Sequence, residues 1–144
     1  MRIREAERAD EEALARLFLR ERRNTFHWVA GHHFRLEEWA EQSAGERVWL
    51  AERGERIVGL VSLWPADRFI HHLYVEEESR GQGGGRALLE RALALGSGPA
   101  SLKVSESNWA AIGFYHRLGW QDDMERGECP VTGPWRRLVL LQAG

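Results

Sequence analysis

The sequence has little of several features that mark particular classes of protein. It contains a single cysteine, Cys129, which excludes an internal disulfide and a multi-cysteine metal site. No run approaches the roughly 20 apolar residues that span a bilayer, and residues 1–5 carry no apolar signal-peptide segment. Lysine is nearly absent, since Lys103 is the one exception among 20 basic residues. We therefore expect a cytoplasmic protein with no membrane partner.

A surplus of one charge sign is also missing. The 22 acidic and 20 basic residues give a formal net charge of -2, whereas general nucleic-acid binders carry a basic surplus. The 43% of apolar residues and 29% of charged residues are typical of a folded globular protein. A chain of 144 residues without an internal linker predicts one domain over residues 1–144 and no nucleic-acid partner.

Hydrophobic periodicity predicts alternating strands and helices. Asp10 is a candidate N-cap for the first helix, and Arg53-Gly54-Glu55 is a candidate hairpin turn. The resulting order is β-α-α-β-β-β-α-β-α-β-β, which favours an α/β (α+β) fold with a mixed sheet and helices on both faces. The predicted strands are 2–6, 47–52, 56–64, 68–75, 100–105, one from 120 onward and 135–141, and the predicted helices are 10–22, 36–42, 86–95 and 108–118.

Tryptophan is frequent, with seven in the chain. We expect four of those in predicted strands or helices to pack in the core. They are Trp49, Trp64, Trp109 and Trp120.

A cluster of glycines is the most unusual local feature. Glycine near the start of a helix costs about 1 kcal/mol relative to alanine, so a run of three needs a compensating role. Without Cβ atoms, the N–H groups at a helix start can approach a phosphate closely, and Arg80 and Arg86 flank the cluster. A tight strand-to-helix turn without a ligand is the alternative. Four of the fifteen glycines form the cluster: Gly81, Gly83, Gly84 and Gly85.

Two common phosphate-binding motifs do not match this cluster. A dinucleotide fingerprint starting at Gly81 requires glycine at position 86, which is Arg86, and an acid near position 101, which is Ser101. A P-loop requires a lysine after its last glycine, and the only lysine is Lys103.

The motif that does match is R-x-x-G-x-G, read as Arg80-Gly81-Gln82-Gly83-Gly84-Gly85. About 25 residues later, an N-x-x-A-x-x-x-Y helix runs from Asn108 to Tyr115 and ends in Gly119-Trp120. Together these segments resemble the GNAT superfamily of acyl-CoA N-acyltransferases, over residues 70–120. The resemblance implies a single domain with a mostly antiparallel sheet of six to seven strands, and a possible homodimer through the C-terminal strands.

The resemblance also implies an activity. It predicts an N-acetyltransferase that moves an acetyl group from acetyl-CoA to a primary amine, in a small molecule or a peptide, by direct transfer in a ternary complex. A non-catalytic acyl-CoA-binding sensor or accessory module is the alternative. Two departures stand out: Gly84 replaces the usual aliphatic residue and removes a packing anchor, and Glu76-Glu77-Glu78 must point away from the phosphates.

The resemblance assigns cofactor contacts to three segments. The pyrophosphate would lie on the N–H groups of residues 82–86, the pantetheine would run along residues 73–75, and a backbone N–H near Val75 would polarise the acyl carbonyl. Asn108 would contact the cofactor, although a helix N-cap is an equally good interpretation. The cofactor-binding set is Leu73, Tyr74, Val75, Arg80, Gly81, Gln82, Gly83, Gly84, Gly85, Arg86 and Asn108.

Two proton-transfer roles complete the expected mechanism. By resemblance, Tyr115 is the general acid that protonates the departing thiolate, while packing beside Phe114 is the alternative. An amine attacks only when neutral, so a general base with a pKa near neutral pH helps. His71 is the candidate for this base, with His72 as fallback. Strand alternation predicts that the two histidines lie on opposite faces, and two structural histidines are the alternative.

Candidate acceptor-binding residues lie in the aromatic stretch 26–34. We expect Trp28, His32 and His33 to recognise the acceptor, while covering one end of the sheet is the alternative. The histidine pairs do not predict a metal site, because adjacent side chains diverge and the single cysteine is remote in sequence.

Overall fold

A computed structural model describes residues 1–141. The elements follow the predicted order, with short 3-10 turns between several of them. The four helices are α1 (Glu11–Thr25), α2 (Glu38–Ser43), α3 (Gly84–Leu93) and α4 (Trp109–Arg117). The seven strands are β1 (Arg2–Glu5), β2 (Arg47–Arg53), β3 (Arg56–Trp64), β4 (Phe69–Val75), β5 (Ala100–Ser105), β6 (Gln121–Cys129) and β7 (Gly133–Leu140).

All seven strands form one mixed sheet. Its order is β1-β2-β3-β4-β5-β7-β6, and every neighbouring pair is antiparallel except β4 with β5. Short connections join β2 to β3, β3 to β4 and β6 to β7 as antiparallel neighbours, whereas the parallel pair β4 and β5 is connected through α3. The predicted mixed, mostly antiparallel sheet is therefore confirmed, with seven strands.

The parallel pair is joined only at its beginning. Phe69 pairs with Ser101 and Ile70 with Leu102, and no further pairs join the two strands within residues 1–141. The C-terminal halves of β4 and β5 thus have no ladder between them, and the backbone of β4 has a free edge in the middle of the sheet.

Helices cover both faces of the sheet, as predicted. On the α3/α4 face, Leu88 and Ile112 pack with alternate strand residues such as Val61. On the α1/α2 face, Leu17 and Trp39 pack against a second set of strand residues. Because neighbouring strand residues point to opposite faces, one sheet supplies two apolar layers.

The tryptophan prediction is half right. Trp49 and Trp120 are buried, but the side chain of Trp64 is 41% exposed and that of Trp109 is 81% exposed. Trp64 is the last residue of β3 and Trp109 the first of α4, so both lie where an element leaves the packed layer.

Two helix starts differ from the prediction. Helix α3 begins at Gly84 instead of residue 86, so the glycines form its first turn. Asp10 precedes α1 as predicted, but its carboxylate makes no cap hydrogen bond to that helix. It accepts hydrogen bonds from Arg4 and from the Glu7 N–H instead. Within residues 1–141, no helix combines the length and apolar content needed to cross a membrane.

Candidate active site

The turn between β4 and α3, residues 80–85, is called the glycine turn here. Gly81 has φ +82° and Gly83 has φ +83°, in the left-handed region that other residues adopt only with strain. A Cβ added at either position would have nothing within 4 Å, so the backbone faces open space. The sequence therefore uses glycine here for conformation and for close approach, and not to avoid a neighbouring side chain.

The N-terminus of α3 presents unpaired backbone donors. The first hydrogen bond of the helix runs from the Ala87 N–H to the Gly83 carbonyl, so the N–H groups of Gly84, Gly85 and Arg86 have no acceptor in the helix. Gly83 is the N-cap and offers no side chain to satisfy them. These donors and the positive end of the helix dipole fit the pyrophosphate of an acyl-CoA.

Neighbouring elements support the first turn of α3. A Cβ at Gly84 would lie 2.8 Å from Met1 Sδ, so the Met1 side chain fills the space of the missing aliphatic residue. A Cβ at Gly85 would lie 3.2 Å from Phe114 Cζ of α4 and 3.8 Å from Val75 Cγ2 of β4. The start of α3 is therefore packed between β4 and α4, and the absence of an aliphatic residue at 84 leaves it supported.

The two arginines that flank the turn are paired within the protein. Arg80 donates from Nε to the Val75 carbonyl at 3.0 Å and from Nη2 to Glu21 at 3.2 Å. Arg86 donates from Nε to Glu90 at 2.8 Å, one helical turn along α3. Arg80 therefore ties the glycine turn to β4 and α1, and the backbone donors carry the phosphate-binding potential of the turn.

Of the three acidic residues before the turn, Glu76 is directed into the protein. Glu76 is buried and accepts a hydrogen bond from Ser79 Oγ at 2.9 Å, and it pairs with Arg20 and Arg56. Glu77 and Glu78 are exposed. The negative charge of Glu76 is thus compensated inside the protein.

The free edge of β4 presents two more donors. The Glu76 N–H donates to the Val58 carbonyl on β3, and the Val75 carbonyl instead accepts from Arg80. Since backbone groups alternate in direction along an antiparallel strand, the N–H groups of Leu73 and Val75 face the gap toward β5. An extended chain such as pantetheine can pair with these groups as an added strand would.

A β-bulge in β4 changes the direction of the histidines. Ile70 pairs with Leu63 and His72 with Ser62, so His71 is the extra residue of the bulge. The rings of His71 and His72 stack, with centroids 3.8 Å apart. The prediction that they lie on opposite faces is therefore wrong, because the bulge interrupts the alternation on which it rested.

The stacked histidines lie on the α1/α2 face but differ in environment. His72 contacts the Phe18 ring at 4.6 Å and is 9% exposed, and burial holds its pKa well below the usual value. The His71 side chain is 33% exposed, and its Nδ1 lies 2.7 Å from Glu46 Oε2. His72 thus stays neutral at pH 7, while His71 combines access to solvent with a carboxylate partner.

Tyr115 lies in the core of the α3/α4 face. Its ring contacts Phe114 at 5.2 Å and Trp120 at 5.7 Å, so the predicted packing role is present. Burial, with a smaller electrostatic contribution from Tyr74, raises the pKa of Tyr115. The phenol therefore keeps its proton at neutral pH, which a proton donor requires.

Asn108 is the N-cap of α4. Its Oδ1 accepts a hydrogen bond from the Ala111 N–H at 3.2 Å. The cap interpretation is confirmed, and the amide nitrogen of the same side chain stays a candidate for the predicted cofactor contact.

The aromatic stretch reaches the far hairpin of the sheet. Trp28 Nε1 donates to the Thr132 carbonyl in the β6–β7 turn at 3.1 Å, although 104 residues separate them. His32 and His33 are exposed and contact each other, with ring centroids 4.3 Å apart. Trp28 therefore links the α1–α2 loop to the β6–β7 turn. Within residues 1–141, His32 and His33 make no comparable contact with another part of the sheet.

Two residues at the site were not identified from the sequence. Glu46 contacts His71 from the loop before β2. Arg22 of α1 lies over the Phe18 and Phe34 rings, and its positive charge acts to lower the pKa of both His72 and Tyr74. Neither lies in a motif, and only tertiary folding brings them to β4. Over the described part of the chain, no cluster of three or more His, Cys, Asp or Glu side chains could hold a metal.

Comparison with known proteins identifies the family of this architecture. The model of the acetyltransferase (GNAT) family matches residues 11–120. N-acetyltransferase 8B from Homo sapiens is 33% identical over 109 residues, which are 67% of this chain and 46% of the human protein. The chain spans less than half the length of each of the curated relatives it matches.

Solved structures share the whole fold. The solution structure of apo YjaB from Escherichia coli has a TM-score of 0.76 at 22% identity and covers 99% of this chain and 98% of its own. The structure of YncA from Salmonella typhimurium with its cofactor acetyl-CoA has a TM-score of 0.70 at 22% identity, with coverage of 98% and 93%. At this identity the likeness establishes the fold alone.

Proposed function

Because the chain belongs to the GNAT family of acetyltransferases, we propose that it transfers an acetyl group from acetyl-CoA to a primary amine by direct transfer in a ternary complex. One observation carries the proposal. The unpaired donors at the start of α3 lie next to a strand whose edge is open toward β5, so one elongated ligand can use both.

The chain's own groups have distinct tasks in binding. The N–H groups of residues 82–86 hold the pyrophosphate, with Gly81 and Gly83 allowing close approach. The N–H groups of Leu73 and Val75 bind the extended pantetheine, and one of them donates to the thioester oxygen as negative charge develops there. Asn108 caps α4 and offers its amide nitrogen to the same ligand.

Acetyl-CoA supplies the thioester carbonyl carbon that the acceptor nitrogen attacks. His71 Nε2 accepts the proton of the acceptor's ammonium group, which frees the nitrogen lone pair to form the C–N bond. Tyr115 donates its proton to the sulfur as the C–S bond breaks. The second proton that the nitrogen loses restores the phenol, and His71 releases the first proton to solvent.

The acceptor approaches from the α1/α2 face in this proposal. His71 stacks against His72 on that face and Tyr115 lies on the other, so in this proposal the base and the acid act from opposite sides of the sheet. Trp28 holds the α1–α2 loop against the β6–β7 turn and forms one wall of the approach. The acceptor class is an amine of a small molecule or a peptide.

Binding and turnover are tested in two measurements. Calorimetric titration with acetyl-CoA should give saturable heat, and a panel of polyamine, amino acid, peptide, protein and aminoglycoside amines should release CoA thiol with at least one acceptor. Saturable binding with no release for any acceptor would favour the non-catalytic sensor. No binding at millimolar acetyl-CoA would contradict both functions.

A further inference from the structure

We propose that Glu46 is a positioning residue that fixes the tautomer and the orientation of His71 for proton transfer. The inference rests on the proposed function, in which His71 is the general base. It adds a residue from outside the motifs of the chain, 25 positions before His71.

The contact between the two side chains determines the tautomer. Glu46 Oε2 lies 2.7 Å from His71 Nδ1, and an ionised carboxylate can only accept a hydrogen bond. His71 Nδ1 must therefore carry the hydrogen, which leaves Nε2 of the neutral ring with a free lone pair. That nitrogen is the one that can take a proton from an ammonium group.

Burial differs between the two side chains of this contact. The Glu46 side chain is 4% exposed, whereas the His71 side chain is 33% exposed, so the carboxylate lies on the protein side of the ring and the solvent on the other. The Glu46 N–H donates to the Ser43 carbonyl at the end of α2, which anchors the loop that carries the carboxylate. His71 is thus held from behind by a fixed group.

The bulge and the stacked ring restrict His71 further. His71 is the extra residue of the bulge, and the ring of His72 lies parallel against it with centroids 3.8 Å apart. Within residues 1–141, the charged and titratable groups around this pair are Glu46 from the loop before β2, Tyr74 on β4 and Arg22 on α1. Glu11 on α1 instead accepts a hydrogen bond from Trp39. Glu46 is the one of these that contacts His71 with a negative charge.

The second oxygen of Glu46 supports a functional role. Among residues 1–141, Glu46 Oε1 is buried and has no hydrogen-bond partner, and the same holds for Ser62 Oγ and His72 Nε2, which belong to directly paired residues on β3 and β4. A buried ion pair is by itself weak evidence for a stabilising role. The geometry instead directs the one hydrogen bond of this carboxylate to the imidazole of His71.

The proton step follows from this arrangement. His71 Nε2 takes a proton from the acceptor ammonium. The resulting imidazolium donates a hydrogen bond from its Nδ1–H to the Glu46 carboxylate, and the carboxylate stabilises the positive charge. The proton remains on the ring and returns to solvent through the exposed side of His71. No other electron pair or atom is exchanged.

The test combines kinetics with a structural control. Glu46→Gln should lower kcat about tenfold with little change in the KM for acetyl-CoA, and should move the acidic limb of the pH–rate profile to lower pH. His71→Ala should lower kcat about a hundredfold. The matched control is Asp122→Asn, because Asp122 Oδ1 pairs with His116 Nε2 at the same 2.7 Å on the surface, and this variant should keep the wild-type profile.

Histidine-ring ¹⁵N NMR of the free protein supplies a readout that does not depend on turnover. Wild type should show His71 as the Nδ1–H tautomer, Glu46→Gln should show a mixture, and Glu46→Asp should restore part of both the tautomer and kcat. An unchanged tautomer and pH profile in Glu46→Gln would overturn the proposal, even if thermal stability falls. Absence of CoA release by wild type would instead overturn the proposed function, and the NMR result would still decide the tautomer.

Discussion

At the residue scale, burial sets what the two tyrosines can do. Burial raises the pKa of Tyr74 to about 12, and burial with a smaller contribution from Tyr74 raises the pKa of Tyr115. Both phenols are therefore protonated at neutral pH. In the proposed mechanism the thiolate leaves in the same apolar surroundings, where it would be poorly solvated and strongly basic, so the burial that suppresses ionisation of Tyr115 would also favour proton transfer to the sulfur.

Tyr115→Phe removes this proton while keeping the ring that packs against Trp120. We expect kcat to fall about a hundredfold with the melting temperature nearly unchanged, since the lost group is a donor and not a packing volume. The rate of CoA thiol release, measured at several pH values, tests this expectation. Full activity of Tyr115→Phe would exclude the acid role.

Also at the residue scale, short motifs predict local conformation. Gly81, Gly83 and Asn108 were identified from the sequence, and each has a conformation or contact that its side chain determines locally: positive φ or an N-cap bond. Glu46 was not identified, because its partner His71 is distant in the chain and no local pattern connects them.

At the element scale, the start of α3 is built for backbone contacts. Its N-cap glycine adopts positive φ, Gly84 and Gly85 lie close to Met1 and Phe114, and the Arg86 side chain pairs with Glu90. A side chain at the cap would therefore strain the backbone and stand in the space in front of the donors.

Gly83→Ala tests the start of α3 against a matched site. Gly54 in the β2–β3 turn also has positive φ with nothing within 4 Å of its Cβ position. Both alanine variants should lose about 1 to 2 kcal/mol of unfolding free energy through backbone strain. Only Gly83→Ala should also weaken acetyl-CoA binding, by about tenfold or more, because it alone borders the donors. Equal affinities of the two variants in calorimetry would contradict the assignment of the glycine turn.

Strand β4 departs from the alternation of side chains that a regular strand has. The alternation of a regular strand predicted one histidine on each face, but the bulge at His71 shifts the register and brings both rings together. A bulge depends on how two strands pair, and β3 is read independently of β4 in a sequence. The prediction failed at the position where the proposed base lies.

At the scale of the whole molecule, the buried histidine links stability to pH. Burial lowers the pKa of His72 well below 6.5, so below about pH 6.5 the unfolded chain binds a proton that the folded chain does not. Stability therefore falls as the pH falls through this range, until the folded-state pKa of His72 is reached. Burial raises the pKa of Glu21, whose contribution has the opposite sign, so a comparison of variants is needed.

His72→Phe should flatten this dependence. The difference between wild type and variant in unfolding free energy should change by up to about 1.4 kcal/mol per pH unit below pH 6.5, the limit for one proton. Urea unfolding at several pH values measures it, and His33→Gln, on the surface, is the control that should keep the wild-type slope. Parallel curves for wild type and His72→Phe would show that His72 is not the linked group.

Local patterns in the chain were enough to predict the order of the elements, the mixed sheet with helices on both faces, the glycine turn and the cap at Asn108. These follow from short-range chemistry: hydrophobic period, turn conformation and side-chain-to-backbone hydrogen bonds act within a few residues. Only the tertiary structure decided the gap between β4 and β5, the bulge that stacks His71 on His72, and the contact of Glu46 with His71. Those features depend on which segments meet across the sheet, and that is settled by packing of the whole chain.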